Sequence, residues 1–360
     1  MKIINAYIIK TLLLYTLSVM TVWISVYALF NFVNEVKFIG QQDYTILVAL
    51  LYVVADLPAV IYSHSPVIIL LGCLLGMGHL ASTSQLIIIR GSGVSIMQIA
   101  QKVVVTGLLF IFIVTLSGEF ITPITTDYAE SYKNKALGRT TSTSQQGFWL
   151  KDKNTIINVK KNFDGNIFSG VTLIKLDNSN HLNSIFYTDK AVFNEGNLKL
   201  EKTKQYQLTQ TDKFTKIQSK IHQNYNTKMS FEQDLVDALK KKPKELSSWN
   251  VYKHMVFLNN NGLASEVYKI ELYKRIIKPI TLVAMLMLSM LFIFGSLRDA
   301  NLSKKIFLGV VISLFFELSS RISGVISLRF NYDPFFSASA PTLIALVIAF
   351  LLLKRKSLNS

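Results

Sequence analysis

Residues 7–32 read YIIKTLLLYTLSVMTVWISVYALFNF and carry one charge, Lys10, near their start. About 20 apolar residues in a helix cross a hydrocarbon core of about 30 Å, so this stretch reads as a membrane span. A cleavable signal peptide would have a shorter apolar region followed by a small-residue cleavage site, and neither is present. The span is therefore retained, and the chain repeats its pattern. A second span is placed at about 60–80. Pro58 and Pro66 punctuate this region, and the apolar piece ahead of the span reads as a helix lying on the membrane surface. A third covers about 102–121, and three more follow at 276–296, 306–328 and 335–353.

Composition agrees. The 360 residues are 50% hydrophobic and 17% charged, with a net charge of +16 and a mean hydropathy of +0.36. A soluble domain runs nearer a quarter charged and a disordered chain carries little apolar residue, so both classes are excluded. The single cysteine, Cys73, excludes an internal disulfide framework and a zinc site built on paired thiolates. Between the two clusters of spans, residues 124–278 form a polar insertion of 155 residues.

Orientation follows from Lys and Arg in the short loops. Lys2, Lys10, Arg90, Lys102, Arg298, Lys304, Lys305, Lys354, Arg355 and Lys356 fall on one side, against Lys37, Arg321 and Arg329 on the other. Both termini are expected in the cytoplasm and the insertion outside. The insertion's 25 Lys and Arg against 15 Asp and Glu do not disturb this reading, because long domains translocate largely regardless of charge.

The first two thirds of the insertion read as β structure. Residues 197–202 alternate in polarity, 171–176 are rich in β-branched residues, and turn clusters stand at 164–165, 177–180 and 194–197. An antiparallel sandwich or jelly-roll is expected. After Met229 the pattern turns helical. Ser230 with Gln233 suggests a capping box on a helix that Pro243 stops, a second helix starts near Ser247, and Ser265 is a candidate cap for the one leading into the fourth span.

The sequence carries few marks of catalytic chemistry. The five histidines are scattered, and no zinc-binding H-E-x-x-H pair, G-x-S-x-G elbow or phosphate-binding P-loop occurs. Any ATP-driven work would need a partner. Gly72 and Gly76 allow close helix approach, either within this chain or against a subunit. Glu317 and Arg321 stand four apart within a span, as a functional pair or as an arginine snorkelling to the interface. Residues 84–98 hold a short apolar run, Leu86 to Ile89, then Arg90-Gly91-Ser92-Gly93, with Ser95 placed to cap the next helix. Such a segment suits docking in a partner's groove or anchoring at the membrane surface.

Several segments, in order and spacing, resemble the LptF/LptG family, permease subunits of the bacterial lipopolysaccharide exporter, nearer its LptG-type branch. They are Phe32-Val33-Asn34 with Lys37, residues 70–80 with Ser84 and Leu86, Gly118-Glu119-Phe120 with Pro123, residues 144–152, and residues 292–298. The resemblance implies an α-helical membrane protein with six transmembrane helices, three plus three, around an inserted periplasmic all-β jelly-roll domain. Its divisions are 1–123, 124–264 and 265–360, in the inner membrane. It implies lipopolysaccharide as cargo, a cytoplasmic ATPase dimer, a second permease of the LptF type and a periplasmic jelly-roll bridge as partners, and neither cofactor nor nucleic acid.

Carried over residue by residue, Lys37 and Lys133 match basic positions suited to lipid phosphates, with Asn34 beside the first. Asn31 and Glu130 replace other cations of the family. Phe148 and Trp149 stand where they line an acyl groove or pack a core. Ser84, Gln85, Leu86, Arg90, Gly91 and Gly93 match the coupling helix that sits on the ATPase, with Gln85 where the family usually has Glu. A scaffold or receptor of an envelope assembly is the alternative, and a passive anchor would not need the 84–98 segment.

Overall fold

The computed structural model describes residues 2–91, 93–138, 148–163, 166–177, 181–194, 196–211, 214–229, 243–260, 265–293 and 302–358. It divides into two units: residues 1–37, 49–129 and 269–360, and residues 38–48 with 130–268.

The first unit is helical. Helix α1 is Lys2–Val36, α2 Ile46–Ser82, α3 Gln85–Gly91 and α4 Ile96–Leu116. A π-helical turn, Ser117–Ile121, joins α4 to α5, Thr122–Ala136. After the β segment and α6, Ser248–Asn260, come α7, Glu266–Ile293, α8, Leu302–Phe330, and α9, Pro334–Leu358. Among the described residues, Ala6–Val36, Ile46–Ser82, Ile96–Ala136, Ile306–Phe330 and Pro334–Arg355 are long and apolar enough to cross a membrane. The sixth expected span falls on α7, outside those five. Lys274, Arg275 and Lys278 stand at the start of its apolar part, and residues 294–296 lie outside the described residues.

The separate surface helix expected before the second span is absent: α2 runs unbroken through Pro58 and Pro66. A proline removes the amide that would bond four residues back. At Pro66 the orphaned carbonyl of Tyr62 accepts from Ser65 Oγ at 2.8 Å, and the neighbouring carbonyl of Ser63 accepts from Lys278 Nζ at 3.2 Å. Freed carbonyls with new donors let the helix continue in an apolar medium. The third span likewise continues past Ile121, as α5, to Ala136. Ser95 caps α4 through a capping box with Gln98.

The core of this unit gathers Ile8 and Leu12 of α1, Ile68 to Leu80 of α2, the inward face of α3, α4, and Leu282 to Leu291 of α7. Gly72 sets a close crossing. A Cβ there would lie 2.6 Å from the Thr16 Cα, so α1 and α2 touch backbone to backbone. The glycine pattern thus serves packing within this chain.

In the second unit, β1 (Phe148–Asp152), β2 (Thr155–Phe163), β3 (Ile167–Leu176), β4 (Leu182–Asn194), β5 (Asn197–Thr211) and β6 (Phe214–Lys228) form one antiparallel sheet in sequence order. A two-sheet jelly-roll brings non-consecutive strands together, whereas tight connections such as Asn194 to Asn197 hold each strand beside the next, giving a meander. The meander is coiled. Lys175 Nζ on β3 donates to Tyr225 Oη on β6 at 2.8 Å, although three strand spacings in a flat sheet come to about 14 Å. Inward residues skip from Phe168 to Val171, Thr188 to Ala191 and Leu200 to Thr203, a row of phase breaks across three strands. Gly170, at φ +64°, sits in that row. The inner face packs Leu150, Ile157, Phe168, Phe186 and Phe193 with Phe257 of α6.

The expected turn at 164–165, most of that at 177–180 and the helix starting at Ser230 fall outside the described residues. Ser247 Oγ caps α6 by accepting from Asn250 N at 3.3 Å. Ser265 does not cap α7 as expected: its hydroxyl is buried and has no hydrogen-bond partner among the described residues.

His254 of α6 is 1% exposed, stacks on Tyr268 at 5.5 Å, and among the described residues has no hydrogen-bond partner at either ring nitrogen. Burial pushes its pKa down to about 4, against about 6.5 in an unfolded chain. Between those values the unfolded chain binds more protons, so this histidine's contribution is complete above about pH 6.5 and is lost as pH falls toward about 4. Thermal unfolding of wild type and His254→Phe across that window is expected to show a shallower acid loss in the variant. Parallel curves would contradict this.

Candidate functional site

Three groups of residues can carry function. The first is the α2–α4 connection. Ser84, at φ +59°, ends α2 and turns the chain into α3, and Gly93, at φ +87°, turns it out again. Leu86 (5% exposed) and Ile89 point into the core, whereas Ile87 (49%) and Ile88 (71%) point outward. Leu86, expected on the partner's side, is thus a core residue, and the sequence reading passed over Ile87 and Ile88. The signal was present: four consecutive apolar residues on a helix cannot share one face. The Gln85 side-chain oxygen is buried and has no hydrogen-bond partner among the described residues. Arg90 is half-buried, and Gly91 and Gly93 have open space around them.

The second group lies at the end of α1. Asn34 and Lys37 are exposed. Asn31, one turn earlier, places its side-chain nitrogen 3.4 Å from Asp56 Oδ2 of α2. In the β-containing unit, Lys133 Nζ stands 4.7 Å from the ring centroid of Phe38, the residue that follows Lys37 in the chain. Trp149 is exposed on the outer face of β1, opposite in phase to buried Leu150, so it does not line the inner face. The side chain of Phe148 lies outside the described residues.

The third group was only partly visible in the sequence. In the helical unit, Arg275 Nε pairs with Glu271 at 3.4 Å, both side chains largely buried, and Arg321 Nε pairs with Glu317 at 2.9 Å. Lys278 lies over the Tyr62 ring at 5.1 Å. That ring packs on Gly118 in the π-helical turn, where a Cβ would overlap it. Among the described residues no cluster of His, Cys, Asp or Glu is arranged to hold a metal ion.

A family profile described as lipopolysaccharide export system permease LptF/LptG matches residues 6–355. The chain belongs to the LptF/LptG family. It is 26% identical over 358 residues to the lipopolysaccharide export system permease protein LptG of Escherichia coli K12, covering 99% of both chains. It is 26% identical over 357 residues to the LptG protein of Haemophilus influenzae, covering 98% of both. The π-helical turn, the β meander and all but the first turn of α1 and the last residues of α9 lie within the matched region, so this LptF/LptG chain is a multi-helix membrane permease in which every group described above falls inside the family's extent.

Proposed function

We propose that this chain is one of two permease subunits of an ATP-driven exporter that extracts lipopolysaccharide from the inner membrane and passes it to a periplasmic jelly-roll bridge. The observation that carries the reading is the end-to-end match of an export-permease family to a chain whose long apolar helices bracket a coiled β meander. In this reading the apolar part of α7 is the sixth span, both termini are cytoplasmic, and the meander is the periplasmic domain. ATP is hydrolysed by a cytoplasmic ATPase dimer seated on α3, where Ile87 and Ile88 supply exposed apolar surface. The second permease is of the LptF type, and the edge strands β1 and β6 offer backbone to the bridge.

Lys37 and Lys133 serve as cations for lipid phosphates, with Asn34 beside Lys37. A photoreactive amino acid at position 37 in the assembled transporter is expected to capture lipopolysaccharide. An active complex that yields no adduct from position 37 contradicts the cargo assignment there.

A further inference from the structure

Arg321 lies nine residues before Phe330, the end of α8, hence about 13 Å inside the helix at 1.5 Å per residue. Its side chain is 70% exposed and that of Glu317 45%, among exposed Phe315, Leu318 and Ile322. A charged pair at that depth does not face hydrocarbon alone, because intramembrane charges sit against other polar groups or a wet cavity. The pair is joined only through Nε of Arg321, and among the described residues the two terminal amino groups make no hydrogen bond. A guanidinium fork with those groups available matches an oxyanion bidentately.

Two neighbours extend the site. A Cβ on Gly324 of α8, three residues past Arg321, would lie 3.3 Å from Lys274 Nζ of α7, and Lys278, one turn further along α7, bonds the Ser63 carbonyl beside His64 of α2, whose ring is flanked by Trp23 and Tyr27 of α1 at 5.6 and 5.9 Å between ring centroids. Lys278 is fixed by the Ser63 carbonyl and the Tyr62 ring, and an ammonium has three donors, so its charge is held in place with donors to spare.

We propose that Arg321, Lys278 and His64 form a subsite within the spans for a phosphate group on a lipid headgroup, with Glu317 holding Arg321 until the phosphate takes its place. The proposal rests on the transport reading above and adds residues to which that reading gives no role.

The test uses the full complex, purified with its partners, and three probes: phosphorylated lipid A, the same lipid after phosphatase treatment, and inorganic phosphate. Arg321→Gln and Lys278→Gln are each expected to weaken binding of phosphorylated lipid A about tenfold, the size of one good polar contact, and to leave the dephosphorylated lipid unchanged. Arg321→Lys, which keeps charge but not the fork, is expected to fall between. Glu317→Gln is expected to act in the opposite direction and tighten phosphorylated lipid, a result a merely structural ion pair does not give. Variants that bind both lipids as wild type does overturn the subsite and leave the transport reading standing. A wild-type complex that binds neither lipid overturns both. Loss of inorganic phosphate binding alone, with lipid binding unchanged, assigns the site to the free ion and overturns the headgroup claim.

Discussion

Ile88→Asp in the assembled transporter is expected to lower the co-purifying ATPase by about tenfold or more and to abolish ATP-driven transport, while the permease itself still folds. Ile88 is the most exposed apolar residue of α3, and a residue that anchors an interface typically carries about 2 kcal/mol or more when truncated. A carboxylate there adds the cost of desolvating a charge in the docked state and nothing in the free one. Leu86→Ala is expected to differ. It lies in the chain's own core, so it lowers stability by about 2–5 kcal/mol and affects coupling only through the fold. Quantitative pull-down beside thermal unfolding separates the two, and full ATPase retention by Ile88→Asp contradicts a partner at this face.

Gly72→Val is expected to remove folded protein from the membrane. Its Cβ would meet Thr16 Cα at 2.6 Å, and a backbone atom, unlike a side-chain tip, cannot rotate away. Overpacking a tight core costs about 1–3 kcal/mol and more where backbones must part, so Gly72→Ala alone is expected to lower the unfolding temperature clearly. Gly76→Ala is the control. A Cβ there would meet Leu12 and Tyr15 at 3.4 Å, close to ordinary contact, and is expected to be tolerated. Equal unfolding temperatures for wild type and Gly72→Ala would contradict the backbone contact of α1 and α2.

The positions of the long apolar helices were legible because a bilayer demands length and apolarity that few other segments have. What the sequence hid were joins. Pro58 and Pro66 read as breaks because local rules see only the lost amides; around Pro66 the carbonyl of Tyr62 finds a donor in Ser65 and that of Ser63 one in Lys278, 215 residues further along the chain. The strands were visible as alternation, but their meander order and coiling depend on long-range contacts such as Lys175 with Tyr225, for which no local pattern speaks. Among the candidate site residues, the 84–98 segment stood out by its short apolar run and the end of α1 by the family resemblance. Neither signal could say that Leu86 faces inward, or that Trp149 stands on the outer face of β1, because each depends on the phase of its element against neighbours. Arg321 and Glu317 were visible as a pair, whereas the meeting of α8 with α7 at Gly324 and Lys274, and of α7 with α2 at Lys278 and Ser63, needed three helices in place.

The central claim is that this chain moves lipopolysaccharide at the expense of ATP bound elsewhere. The most direct measurement reconstitutes it in lipopolysaccharide-loaded proteoliposomes with its ATPase and second permease and follows transfer of lipid to a soluble jelly-roll acceptor. Transfer is expected only with ATP and only when this chain is present. Equal transfer without the chain, or none in a complex that hydrolyses ATP and binds the acceptor, would contradict it and favour a scaffold.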